Sequence, residues 1–196
     1  MKLNKKTIID IAIMILIAIV AIFFIWNVLK DSGSQTKTRE SQNSLNNAVD
    51  QEVQKLIPEV SKVTEEGQVV TSEGKPVKND AIPGSDEAPK QSAPIKDIKQ
   101  LPTQVTKLII TEKGFAPLSF EVKSKQVVNL AISSGDSHLH VFKFEDPSLS
   151  AVNFGVSSGE TRVIVFNAPE KPGEYKFFCD VPGHQNRGEQ GTMIVK

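Results

Sequence analysis

The sequence predicts an all-β Greek-key sandwich carried behind a membrane-spanning helix and a polar stalk, on three observations. Residues 105–196 hold seven short runs with period-two alternation, residues 8–29 are almost uniformly apolar, and residues 31–104 are dominated by Ser, Thr, Gln, Asn, Lys and Glu. The expected organisation is therefore an anchor over 1–30, a largely disordered stalk over 31–104 and a sandwich over 105–196.

The first stretch, IIDIAIMILIAIVAIFFIWNVL, contains no polar side chain from Ile11 to Trp26. At 1.5 Å per residue, roughly 20 such residues cross the hydrocarbon core of a bilayer. Lys2, Lys5 and Lys6 precede the run, whereas only Lys30 follows it directly, beside Asp31. That bias keeps the N-terminus cytoplasmic and sends the remainder to the extracytoplasmic side of the cell membrane. A cleaved signal peptide would have a shorter apolar core and end in small residues, whereas this run ends in Trp26-Asn27-Val28-Leu29.

Between residues 31 and 104 the chain offers too little apolar surface to offset the entropy of ordering it, which predicts a stalk. Leu45, Val49, Val53, Leu56, Val60 and Val63 recur at steps of four and three, a stripe that predicts a short helix within 41–64, interrupted by Pro58.

The seven runs that follow are VTKLIITE, SFEVKS, QVVNLAIS, HVFKFE, ETRVIVFNA, EYKFFCD and TMIVK, each rich in Val, Ile, Phe or Thr. Runs of this length bounded by Gly, Pro, Ser or Asp read as the strands of a sandwich or barrel. Alternation assigns their faces: Phe120 with Val122, Val128 with Leu130 and Ile132, His140 with Phe142 and Phe144, and Tyr175 with Phe177 and Cys179.

Charge and cysteine content narrow the function. The formal net charge is +0, so nothing points to nucleic acid or to a membrane surface held by charge alone. A single cysteine excludes an internal disulfide, a zinc ribbon and a paired-cysteine redox motif. That cysteine, Cys179, closes an aromatic strand, and His184 follows it across a loop containing Pro182-Gly183. Such a loop can turn back and set a thiolate and an imidazole on one metal ion. His138 and His140 lie where a loop becomes a strand, and Greek-key connections can bring that point to the same end of a sandwich. A histidine aligned with core phenylalanines needs a polar partner or an ion, because a buried imidazole otherwise loses its hydrogen bonds.

GFAPLSFEVKSKQVVNLAIS, GDSHLHVFKFED and GEYKFFCDVPGHQNRGEQGTMIV together resemble the cupredoxins, the blue-copper β-sandwiches of the plastocyanin and azurin kind. The resemblance covers residues 105–196. It implies one copper ion, of type 1 or a red-copper variant, held by Cys179, His184 and one upstream histidine. His140 is the better match to the family pattern, with Asp136 before it and Phe144 and Glu145-Asp146 after it. His138 then supports a ligand from behind, substitutes for one, or is simply exposed. A cupredoxin with two loop cysteines forms the binuclear centre of respiratory oxidase subunits, which one cysteine excludes.

The sequence departs from the family at the axial position, where methionine is expected. Glu189 stands there, Gln190 follows, and Met193 falls within the final strand, where it fills core space. A coordinating carboxylate would stabilise the cupric state and lower the potential, in a set similar to nitrosocyanin-like red-copper sites. If instead Glu189 faces solvent, the site is three-coordinate or is capped by Gln190 or a backbone carbonyl. The resemblance implies a carrier of single electrons rather than an enzyme, working with redox partner proteins of a membrane electron-transfer chain. The alternatives are a small-molecule-binding copper site, a copper chaperone without a redox partner, and a zinc-bound or metal-free adhesion sandwich; zinc also accepts these four ligands.

Overall fold

The computed structural model describes Phe23, Trp26, residues 48–95 and residues 98–196. The chain divides into two compact units, Met1–Leu45 and Asn46–Lys196. The expected anchor and the first part of the expected stalk lie outside the described residues, apart from Phe23 and Trp26, which are helical and exposed. Among the described residues no helix is long and apolar enough to cross a membrane.

The second unit is an all-β sandwich with a packed outer layer. Two short strands, β1 (Lys62–Val63) and β2 (Val69–Val70), form a hairpin ahead of it. One sheet has the order β4-β3-β6-β9, from β3 (Thr106–Thr111), β4 (Gly114–Ala116), β6 (Val127–Ser134) and β9 (Thr161–Asn167). The other has the order β5-β11-β10-β7-β8, from β5 (Ser119–Val122), β7 (His140–Phe144), β8 (Asn153–Val156), β10 (Gly173–Cys179) and β11 (Gln190–Val195). All seven sequence-predicted strands are present. Within the sandwich the structure adds β4, of three residues, and β8, of four.

Side chains from the two inner faces interlock as the alternation requires. Leu108, Ile110, Val128, Leu130, Ile132, Ile164 and Phe166 from the first sheet meet Phe142, Phe144, Phe154, Phe177, Met193 and Val195 from the second. Met193 is fully buried in this core. Edge-to-face contacts link the aromatics, with Phe142 and Phe144 at 5.2 Å and Phe115 and Phe177 at 5.0 Å between centroids.

The stalk expectation requires correction from residue 48 onward. A helix whose described part covers 48–56 ends before Pro58, and it buries Val49 and Val53. With Ile57, Val60, Val69, Leu101 and Val105 they cover Ala131, Val163 and Val165 on the outer face of β6 and β9. The stripe differs in one place: Leu56 is 50% exposed and Ile57 is buried instead, since the helical period stops there. The segment continues along the β9 edge, where the Ser92 and Ile95 N–H groups donate to the Val163 and Thr161 carbonyls, both at 2.8 Å. An open sheet edge is thereby paired. The physical reason for the miss is that a polar segment needs few apolar residues when a ready-made apolar face receives them.

One buried polar contact fastens the helix. Asn129 Nδ2 on β6 donates to Asp50 Oδ1 at 2.6 Å, while Asp50 Oδ2 and Asn129 Oδ1 are buried without partners. A proton on Asp50 Oδ2 would supply the donor that Asn129 Oδ1 lacks and make a reciprocal acid–amide pair. Burial pushes the Asp50 carboxyl up from 3.8, outweighing the Asn129 hydrogen bond that pulls it down. The stability contributed by a group whose folded-state pKa is raised is fully present below 3.8 and is lost as pH rises through the raised value. Asp50→Asn keeps a reciprocal amide pair that does not titrate. The difference in urea midpoint between Asp50→Asn and the wild type is therefore expected to grow in favour of the variant as pH rises. A difference that stays constant with pH would contradict the protonated pair.

Candidate metal centre

The five-stranded sheet delivers four side chains able to hold a metal ion to one end. Inward alternation along β7 buries His140, Phe142 and Phe144, and the same alternation along β10 buries Tyr175, Phe177 and Cys179. The two strands pair antiparallel with Cys179 opposite Phe142, so the end of β10 lies against the start of β7. The Val141 N–H then points at Cys179 Sγ at 3.3 Å.

β10 and β11 form a hairpin whose loop supplies the other two side chains. Phe178 pairs with Gln190, so Glu189 sits across from Cys179 and on the same face. The Cys179 N–H donates to the Glu189 carbonyl at 3.0 Å. Within the loop, a turn of 3-10 helix over Gln185–Arg187 follows His184 and stops at Gly188, whose φ of 91° reverses the chain. The reversal returns the Glu189 N–H to the His184 carbonyl at 3.4 Å. Gly191 completes the arrangement: a Cβ there would stand 2.5 Å from the Phe177 ring, so only glycine lets that ring pack beneath the site.

The ligand atoms of His140, Cys179, His184 and Glu189 all lie within 4.8 Å of one another. Glu189 Oε2 is 2.9 Å from His140 Nδ1 and 2.9 Å from His184 Nδ1. Cys179 Sγ stands 3.5 Å from His184 Nδ1 and 3.8 Å from His140 Nδ1. His140, Cys179 and Glu189 are fully buried, whereas the His184 side chain keeps 11% exposure.

Partners behind the cluster fix its polarity. Asp136 Oδ1 lies 3.0 Å from His140 Nε2, which turns Nδ1 toward the other three donors. Burial pushes the Asp136 carboxyl up, but the His140 hydrogen bond and the His138 and Glu112 N–H groups together hold it well below the usual range. Burial likewise raises the Glu189 carboxyl, and hydrogen bonds with His140, Cys179 and His184 more than reverse this, so its net shift is downward. The Cys179 thiol moves up, chiefly through burial, despite N–H groups from Val141 and Val181. A cation in the cluster would reverse that, since thiolate is the ligating form.

The donor set fits one copper ion: a soft thiolate and two imidazoles suit both copper oxidation states, and a carboxylate adds a harder, charged donor. A carboxylate with no surface exposure is costly unless paired; Oε2 meets the imidazoles that would share an ion with it, and Oε1 is paired with Arg187. Of the other sequence candidates, His138 is 45% exposed at the rim with Nδ1 at 3.4 Å from Asp136 Oδ1. Gln190 is exposed at the start of β11, on the face opposite Glu189, and is not among the clustered donors. The period-two pattern leading back from Val195 through Met193 and Gly191 to Glu189 was the available signal that Glu189 points inward and Gln190 outward. Sequence reasoning passed over Arg187, whose Nη2 donates to Glu189 Oε1 at 2.9 Å.

A family model described as Cupredoxin-like domain matches residues 90–195. Similar solved structures include a dithionite-reduced auracyanin from Roseiflexus castenholzii, 17% identical over 48% of this chain and 98% of that one, with a TM-score of 0.43. Amicyanin from Paracoccus versutus is 18% identical over 53% of this chain and 92% of that one, with a TM-score of 0.38. A purple cupredoxin from Nitrosopumilus maritimus is 19% identical over 46% of this chain and 99% of that one, with a TM-score of 0.34. No curated protein matches the chain in sequence.

Proposed function

Because the chain belongs to the family of cupredoxin-like domains, we propose that it is a copper protein that carries single electrons, tethered by its N-terminal segment with the sandwich on the extracytoplasmic side of a membrane. The observation that carries this reading is the convergence of one thiol, two imidazole Nδ1 atoms and one carboxylate oxygen within 4.8 Å at the end of a sandwich. Copper, when bound, supplies exchange between the cupric and cuprous states. His140, Cys179, His184 and Glu189 would hold it, on a hairpin and a strand whose paired backbones resist rearrangement between the two states.

Glu189 stands at the sequence position where the family usually carries methionine, and would be the fourth donor. Its Oε2 contacts both imidazoles, which supports the carboxylate-bound variant over a three-coordinate site. Its charge favours the cupric state and sets a lower potential than an axial thioether would. Burial of three of the four donors supports a carrier over an open small-molecule site. His184 is the one of the four that reaches the surface, so redox partner proteins of a membrane electron-transfer chain would come closest to the centre there. The membrane address rests on the apolar run 8–29 and its lysine asymmetry.

Two experiments test this reading. The copper-loaded chain is expected to show a thiolate-to-copper absorption band, moved to shorter wavelength than in blue sites, with wide electron-spin hyperfine splitting. Cys179→Ser abolishes the band and Glu189→Gln moves it; a chain with no such band would contradict the thiolate site. For the membrane address, fractionated cells are expected to hold the intact chain in the membrane pellet, with the sandwich open to protease from outside. A mature chain that begins downstream of Leu29 would refute the anchor.

A further inference from the structure

Glu189 uses its two oxygens differently. Oε2 faces both imidazoles, whereas Oε1 accepts from Arg187 Nη2 at 2.9 Å. Arg187 reaches in from the rim, with 38% of its side chain exposed against none for Glu189. The backbone holds the two together: Arg187 ends the 3-10 turn, its N–H donating to the His184 carbonyl at 3.0 Å, and Gly188 in the left-handed region carries the chain round to Glu189.

We propose that Arg187 is a positioning residue of the metal centre, reserving Glu189 Oε2 alone for the ion and offsetting the carboxylate's charge. The inference rests on the reading above that Glu189 is a ligand. Ion pairing at Oε1 leaves one oxygen for coordination and fixes the carboxylate plane, as partners behind a ligand generally do.

The charges show which oxidation state this favours. Among the donors, a thiolate from Cys179 and a carboxylate from Glu189 together balance a divalent cation and leave one negative charge in excess with a monovalent one, and Asp136 behind His140 adds a further negative charge in both states. An uncompensated buried charge is costly. The guanidinium of Arg187 cancels that excess, so it favours the cuprous state and raises the potential that the carboxylate lowers. A site with a carboxylate donor thus keeps a potential closer to that of a site with a neutral one.

The test compares the full-length copper-loaded chain in detergent with Arg187→Ala, Arg187→Lys and Glu189→Gln, reading the reduction potential and the charge-transfer spectrum. Arg187→Ala is expected to lower the potential and shift the band, because the charge is lost and both carboxylate oxygens are freed. Arg187→Lys restores the charge at a single point and is expected to fall between Arg187→Ala and the wild type. If Arg187→Ala matches the wild type while Glu189→Gln shifts the spectrum, the role of Arg187 is refuted and Glu189 remains a ligand. If Glu189→Gln also changes nothing, the carboxylate reading itself fails. Should Arg187→Ala lose copper, thermal unfolding of the metal-free chains decides: unchanged stability supports positioning, and a lowered midpoint overturns it in favour of a purely structural role.

Discussion

Oε2 of Glu189, wholly buried and 2.9 Å from the Nδ1 atoms of both His140 and His184, is the contact about which the site is built. A carboxylate out of water must be paired or hold an ion, and its removal from the cluster would leave two imidazoles and a thiol without their shared partner. The contact exists only because the hairpin register sets Glu189 opposite Cys179, and because Gly191 lets the Phe177 ring pack beneath them. A register shift of one residue would turn Glu189 outward and Gln190 inward. The chemistry of the site is therefore tied to strand pairing rather than to the loop alone.

The same sheet supplies every member of the cluster. His140 begins β7, Cys179 ends β10, and His184 and Glu189 occupy the loop that leads into β11. The opposite sheet contributes the mainly aliphatic side of the core, with Phe115 and Phe166, and its outer face is in turn covered by Val49, Val53, Ile57, Val60, Val69, Leu101 and Val105. β6 and β9 are buried on both sides as a result, which places them among the least exposed strands of the fold. The packed unit thus begins well before the first strand of the sandwich, in keeping with a family match that starts at residue 90.

Much of this was legible in the sequence, for identifiable reasons. Period-two alternation located seven of the sandwich strands and put His140 and Cys179 on the inward faces, since that period is imposed by the pleat itself. β4 and β8 escaped notice because GFA and NFGV are short and carry glycine, so their identity depends on the partners β3 and β7. The outer layer was missed because its composition is that of a linker. The signal lay elsewhere, in the unbroken apolar run Val163-Ile164-Val165-Phe166, which marks a strand covered on both faces. Nothing in the sequence separated Arg187 from a surface arginine, because its role depends on a left-handed glycine that turns the neighbouring carboxylate inward.

The proposed copper site has four donors, with a carboxylate where cupredoxins usually carry a thioether. Extended X-ray absorption fine structure at the copper edge of the loaded chain counts the donors directly. The expected result is one sulfur and three nitrogen or oxygen scatterers, with Glu189→Gln altering the oxygen contribution. One sulfur with only two light scatterers, unchanged in Glu189→Gln, would remove Glu189 from the coordination shell, and the absence of any sulfur would contradict the site altogether.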